Sequence, residues 1–335
     1  MENQNRFVLL KQWLDTVVNG PVGELRPASG DASFRRYFRF RGGGKSLIAM
    51  DAPPDKEDSR SFVMLAQALA AMGLNVPEVL AYDLEAGFVL LSDLGDCQYL
   101  EALDESSAER LYRDAIEALG RLQRGGRERP VAVPVYDRQL LVQEMALFPE
   151  WLLNKQLALE LSPRQRQDLN DVFETLVTAA LAQPQVLVHR DYHSRNLMVT
   201  QVDNPGILDF QDAVYGPMSY DLVSLLRDCY IEWPLERVRH WVSDYLAVSR
   251  ESGGVKADPD QFWYWFDLMG VQRHLKAAGI FARLNIRDAK PGYLADIPRT
   301  LGYVKAVSDR YTELRPLYSL LVDHVEPHLA RLTGR

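Results

Sequence analysis

The chain has 335 residues, 47% hydrophobic and 25% charged, an ordinary balance for a folded protein with room for two lobes. Its 38 basic and 46 acidic residues leave a net charge of −8, which excludes a broad basic face for nucleic acid or an anionic membrane, since either needs clustered Lys and Arg. The two cysteines, Cys97 and Cys229, form no CxxC pair and no metal-ligand spacing, so both are expected to be structural thiols in a reducing cytoplasm.

In the first segment, MENQNRFVLLKQWLDTVVNG, residues Phe7, Leu10, Leu14 and Val17 share one helical face, and Gly20 ends the helix. Lys11 and Asp15 interrupt its apolar residues, so it does not read as a secretion signal. No apolar run in the chain approaches the roughly 20 residues that cross a bilayer. SFRRYFRF alternates Phe34, Arg36, Phe38 and Phe40 with Arg35, Tyr37 and Arg39, a strand pattern with Arg36 on the face of the three phenylalanines. RGGGK supplies a turn and SLIAM a second strand, so an antiparallel hairpin is expected. DAPPDKEDS is a polar loop, a helix follows from about Ser59 to Met72, and FVLLSDLGD is an apolar strand ending in a turn at Gly95. Residues 1–94 read as a small α+β lobe.

Residues 95–335 read as mainly helical. DESSAERLYRDAIEALGRLQ sets Leu111, Ala115, Ala118 and Leu122 on one stripe. Ser162 suits an N-cap and Pro163 the first position of the next helix, whose buried face carries Leu169, Phe173, Leu176 and Ala180. Two short apolar strands, VLVH and GILDF, follow with a loop between them. The tail is helical again through FWYWFDLMGVQRHLKAAGIFARL. There is no internal repeat and no long linker.

The chemistry is concentrated in VLVHRDYHSRNLMV, residues 186–199. Phosphoryl transfer needs the acceptor hydroxyl held in line and negative charge neutralised, with little covalent help from protein. Asp191 can accept a hydrogen bond from an acceptor hydroxyl. Asn196, five residues on, and Asp209, at the end of ILDF, offer amide and carboxylate oxygens that suit Mg²⁺. The competing reading is a buried turn in which His189, Asp191 and Asn196 cap backbone groups. A second phosphate-binding spelling, RFRGGGKS, nearly matches a P-loop. Arg39 stands at its first glycine, and a strand pattern follows where the mechanism needs a helix.

These segments, with ILDFQDAVYGPMSYDLVSLLRD and the two-lobe layout, resemble the aminoglycoside phosphotransferase-like (choline kinase-like) small-molecule kinases over essentially the whole chain. The resemblance implies a two-lobed protein-kinase-like α+β fold, with a small antiparallel-sheet N-lobe and a mainly helical C-lobe. It implies ATP as co-substrate, Mg²⁺ as cofactor, Asp191 as catalytic base or hydroxyl-positioning residue, and Asn196 and Asp209 as metal ligands. His189 and Asp221 would support the catalytic loop. ATP would lie between the lobes, its adenine near LLSDLG and paired by backbone groups around Asp93 and Leu94. A protein kinase fits less well: G-x-G-x-x-G and APE are missing, and the stretch from Asp209 to Asp221 is too short for an activation segment.

Two departures stand out. Met50 occupies the place at the end of SLIAM where the phosphate-gripping lysine is expected, leaving Lys45, Arg35, Arg36 and Arg39 as candidate replacements. Arg36 either reaches toward phosphate or snorkels past the core edge. In SGDASFRRY, Gly30 and Ser33 either approach the nucleotide or form a plain hairpin turn.

A narrower resemblance lies in DASFRRYFR, MDAPPDKED, EMALFPEWLL and QRHLKAAGIFARLNIRD, which are similar to the anomeric amino-sugar kinases of bacterial cell-wall recycling. It implies transfer from ATP to the 1-hydroxyl of N-acetylmuramate and N-acetylglucosamine. Glu144 would accept sugar hydroxyls, with Trp151 or Phe148 as an apolar wall or as core. His193 and Arg195 would face substrate or brace the loop. Arg283 and Arg287 would pair with a substrate carboxylate or simply end a solvated helix. The alternatives are a kinase for another small alcohol (an aminoglycoside, choline or homoserine) and a catalytically inactive kinase-like binding protein, suggested by Met50. Oligomeric state is not legible.

Overall fold

The computed structural model describes residues 2–28, 34–251 and 257–333. In chain order the elements are α1 (Glu2–Val17), β1 (Arg26–Pro27), β2 (Arg36–Gly42), β3 (Lys45–Asp51), α2 (Ser59–Ala71), β4 (Val79–Asp83), β5 (Phe88–Ser92), α3 (Tyr99–Ala102) and α4 (Ala108–Glu128). After them come α5 (Arg138–Leu147), a π-helical stretch (Phe148–Gln156), α6 (Pro163–Leu181), β6 (Gln185–Val188), β7 (Leu197–Met198), β8 (Gly206–Ile207) and β9 (Val214–Pro217). The remainder is α7 (Tyr220–Leu226), α8 (Leu235–Glu251), α9 (Pro259–Asp288), a 3₁₀ turn (Pro291–Asp296) and α10 (Ile297–Ser308), followed by short C-terminal helices. Two compact units result: residues 1–102 with 196–211, and residues 103–195 with 212–335.

The first unit carries a five-stranded antiparallel sheet in the order β1-β2-β3-β5-β4. Gly43 and Gly44 turn the β2–β3 hairpin with φ of 58° and 80°. Two positive φ values in a two-residue turn match the right-handed twist of the strands. Lys45 opens β3 rather than a helix, so no helix N-terminus follows the glycine run. On one face, Phe38, Phe40, Leu47, Ala49, Phe88 and Leu90 pack with Leu10 and Leu14 of α1. Phe34 breaks the expected alternation. It precedes β2, is 61% exposed, and lies under the Lys56 ammonium instead of in the core. The β7–β8 pair also belongs to this unit: Ile207 N–H donates to Asn75 O at 2.7 Å and Val199 N–H to Cys97 O at 2.8 Å.

The second unit is helical around α9, which packs against α5, α6, α7 and α10. Asp258 caps α9, accepting from the Asp260 and Gln261 N–H groups at 3.1 Å. A Cβ on Gly279 would stand 2.4 Å from the Leu147 carbonyl carbon, so only glycine lets α9 approach the end of α5 this closely. Ser162 caps α6 in a full capping box with Gln165, as its sequence promises. Pro149 interrupts the donor row after α5, and bonding continues at five-residue spacing, as in Leu157 N–H to Leu152 O at 3.0 Å. VLVH forms β6 as expected, but its partner is β9. GILDF keeps only two residues of ladder, Gly206–Ile207 against Leu197–Met198, because its remaining residues turn out of the strand.

Candidate active site

β6 leads into the loop of the second unit that carries His189, Arg190 and Asp191. Asp221, in the first turn of α7 and fully buried, accepts the backbone N–H groups of His189 at 2.7 Å and Arg190 at 3.0 Å. This grip holds Arg190 at φ 76°, a left-handed conformation costing about 1–3 kcal/mol at a non-glycine residue. Burial outweighs those two bonds and pushes the Asp221 carboxyl up to about 7. The His189 ring accepts the Asp191 N–H at 3.2 Å, Tyr192 OH donates to Ala115 O on α4 at 2.8 Å, and Ser194 N–H donates to Asp228 at 2.9 Å. The loop is therefore pinned at residues 189 to 192 and again at 194.

Asp191, thus held, lines a cavity of about 170 Å³ with His193, Tyr220, Tyr230, Arg273 and Lys276. Burial works against the charge of Asp191, but Lys276, then His193, His189 and Arg273, hold its carboxyl below the usual range. It is an acceptor at neutral pH. Burial pushes His193 below the ordinary histidine value, so its ring is neutral there. Lys276 Nζ donates to Tyr220 OH at 3.1 Å and pairs with Glu144 at 2.9 Å. Burial opposes the Lys276 charge, but Tyr220 and Glu144 keep its value raised.

Glu144 is 5% exposed and is not part of the cavity lining. Its Oε1 takes Arg190 and Lys276, and its Oε2 takes Tyr136 OH and Gln272 at 3.3 Å. Its own chain supplies these donors. Phe148 is core, and Trp151 is half-buried beneath the Lys155 ammonium. Arg195 stacks on Tyr230, 3.7 Å from the ring centre, with Tyr293 at 5.7 Å. Arg287 is exposed and paired with Asp288 at 2.8 Å. Arg283 lies seven residues beyond Lys276, about 20° round the helix from it, but is not part of the cavity lining.

In the first unit, the β7–β8 ladder brings Asn196 and Asp209 together, with Asn196 Nδ2 donating to Asp209 Oδ2 at 3.2 Å and Leu208 N–H to Asn196 O at 2.9 Å. Asp209 has φ 64°, and Gln211 Nε2 donates to its Oδ1 at 2.7 Å. One carboxylate and one amide this close form a hard-oxygen donor set of the kind Mg²⁺ takes alongside phosphates and water. Among the described residues no group of three or more His, Cys, Asp or Glu side chains gathers as a metal cluster.

Among the described residues, the cations proposed to stand in for lysine are all engaged with carboxylates except Lys45. Arg35 pairs with Glu57 at 2.9 Å, and Arg36 pairs with the fully buried Asp51, whose other oxygen takes Arg6 Nε at 2.9 Å. Arg39 forks onto Asp93 at 2.7 and 3.0 Å, and Ser46 adds a bond at 2.6 Å. Burial acts against the Asp93 charge, but Arg39 and Ser46 hold its carboxyl low. Leu94 is half-buried beside Gly206, and Met50 is fully buried. Gly30 and Ser33 lie outside the described residues.

The cavity residues that sequence inspection passed over are Arg273, Lys276, Tyr220 and Tyr230. A signal existed: residues 273, 276, 277, 280, 281 and 284 recur at helical spacing and all line the cavity. Arg6, Asp51 and Gln211 gave no local sign, since their partners are recognised only through space.

The model of the phosphotransferase enzyme family matches residues 24–257, and the chain belongs to that family. Two relatives are named N-acetylmuramate/N-acetylglucosamine kinase. The one from Neisseria meningitidis serogroup B is 48% identical over 326 residues, covering 96% of this chain and 96% of the relative. The one from Pseudomonas putida is 45% identical over 333 residues, covering 96% and 97%. Among solved structures, choline kinase LicA from Streptococcus pneumoniae aligns with a TM-score of 0.64 at 12% identity, over 90% of this chain and 99% of that one. At that identity the likeness concerns the fold alone, a two-lobed kinase-like α+β architecture. No helix among the described residues is long and apolar enough to cross a membrane.

Proposed function

We propose that the chain transfers the γ-phosphoryl group of ATP to the anomeric hydroxyl of N-acetylmuramate and N-acetylglucosamine, with Mg²⁺ as cofactor. The observation that carries this reading is the Asp191 cavity. It joins one ionised carboxylate to two cations, the buried Arg273 and the half-buried Lys276. A cationic aminoglycoside or choline would meet repulsion there, whereas a neutral or anionic sugar would not. The names carried by the relatives at 45% and 48% identity support the same acceptor.

In the reaction the Asp191 carboxylate accepts a hydrogen bond from the 1-hydroxyl and orients it. A hemiacetal hydroxyl is more acidic than an ordinary alcohol, so a carboxylate of low basicity suffices. As the new O–P bond forms, the hydroxyl proton passes to Asp191, and ADP departs with the electrons of the broken P–O bond. Cationic Lys276 and Arg273 keep Asp191 charged until then. Asn196 and Asp209 would hold Mg²⁺, which neutralises phosphate charge when bound. Around the nucleotide, Asp93 and Leu94 would offer backbone groups to the base. Arg36 would act indirectly by holding Asp51 at the end of β3. ATP as donor implies a cytoplasmic reaction. The test is incubation with ATP, Mg²⁺ and each sugar, followed by ³¹P NMR. A sugar 1-phosphate is expected from both, and its absence from both would sink the reading.

A further inference from the structure

We propose that Arg273 is the specificity residue for acidic acceptors: its guanidinium takes the carboxylate of the lactyl ether that distinguishes N-acetylmuramate from N-acetylglucosamine. The proposal rests on the amino-sugar kinase reading and extends it to one residue.

Lys276 and Arg273 line the cavity with Asp191, Arg190 precedes Asp191 in the chain, and the three cations differ in what they already hold. Arg190 is bound to Glu144 and reaches Asp212 O at 3.4 Å. Lys276 is divided between Glu144 at 2.9 Å and Tyr220 at 3.1 Å. Arg273 is 6% exposed, yet among the described residues its one hydrogen bond runs from Nη1 to the Cys229 thiol sulfur at 3.7 Å. Sulfur is a weak acceptor, and a guanidinium has five N–H donors. The Asp228 and Asp191 carboxylates act on Arg273 through space, but among the described residues neither is hydrogen-bonded to it, so its remaining N–H donors suit an anionic group brought into the cavity.

Geometry limits where that partner comes from. Arg273 lines the Asp191 cavity and sits one turn from Lys276 on α9, whose next cavity-facing residues are Ala277, Ile280 and Phe281. An acceptor whose hydroxyl meets Asp191 has its substituents within the same lining. A planar carboxylate on that acceptor matches the guanidinium fork with two parallel bonds, which an ammonium cannot supply. Arg283 and Arg287 do not compete, since neither lines the cavity.

The experiment measures kcat and KM for wild type, Arg273→Lys and Arg273→Met, all full-length, with N-acetylmuramate, its methyl ester and N-acetylglucosamine. In wild type, masking the carboxylate is expected to raise KM and lower kcat/KM by about 10- to 100-fold, the range of a charge-assisted hydrogen-bond pair. In Arg273→Met the acid-to-ester ratio is expected to collapse to within about threefold, with Arg273→Lys in between because it keeps charge and loses the fork. Equal acid and ester kinetics in wild type would overturn the proposal without any variant having to fold. So would an Arg273→Met loss confined to kcat and equal for all three sugars, which would assign the arginine to the transferred phosphoryl group. Wild type inactive on every sugar overturns the kinase reading itself, a result distinct from an active enzyme with an unchanged ratio.

Discussion

Glu144→Gln tests whether one buried carboxylate organises the catalytic loop. In the native protein Glu144 neutralises Arg190 and Lys276, whose side chains are 18% and 12% exposed. Glutamine keeps the shape and one carbonyl acceptor but removes the charge, leaving two half-buried cations without their carboxylate. Breaking a buried pair costs about 3–5 kcal/mol, and the lower end applies because Lys276 retains Tyr220 and Arg190 retains Asp212 O. At about 2 °C per kcal/mol for a chain of this size, Tm should fall by about 6 °C at pH 7.5. Burial works against the Glu144 charge, but Lys276 and Arg190 hold its carboxyl below the usual range. A depressed carboxyl contributes stability above its unfolded pKa, about 4.3, and loses it as pH falls through the lower folded value. The gap between wild type and variant should therefore stay constant from pH 8 to 5 and shrink below about pH 4. Circular-dichroism melts across that range provide the measurement. A Tm within 1 °C of wild type at pH 7.5, or a gap that widens on acidification, would refute the role of Glu144 as the anchor of both cations.

Three further outcomes follow from the same geometry. Asp191→Asn should lower kcat by about 10²–10⁴-fold, the usual worth of a positioned base, while calorimetry finds ATP affinity within about threefold of wild type. Asp209→Ser should raise the Mg²⁺ concentration for half-maximal rate by at least about tenfold, since it removes the charged member of the Asn196–Asp209 donor pair; an unchanged Mg²⁺ titration would detach Asp209 from the metal. Gly279→Ala should cost about 1–3 kcal/mol in urea unfolding, because its Cβ would stand 2.4 Å from the Leu147 carbonyl carbon and α9 would have to shift.

Local spacing made much of this legible from the amino acids alone. Period-2 alternation marked β2, helical stripes marked α1, α4 and α6, and the Ser162–Pro163 start of α6 carried its own cap. Asp191, Asn196 and Asp209 could be picked out because phosphoryl transfer draws on a few residue types at short, fixed separations. Phe34 escaped the pattern because alternation says nothing about where a strand begins, and this residue lies just before β2.

Arginine and lysine assignments depended on the tertiary structure. From sequence, Lys45, Arg35, Arg36 and Arg39 were candidates for phosphate and Arg283 and Arg287 for a carboxylate, since a cation's partner is set by distance in space. Folding joins Arg36 and Arg6 to Asp51, Arg39 to Asp93, and Arg190 and Lys276 to Glu144, partners separated by 15 to 132 positions. It also turns Arg273 onto the same face of α9 as Lys276 and leaves it with a thiol. The sequence by itself determined the kinase-like α+β fold and marked out Asp191, Asn196 and Asp209 as candidates, because those follow from local pattern. Only the tertiary structure decided which cations are paired with carboxylates and which line the Asp191 cavity, because burial and pairing are properties of the packed chain.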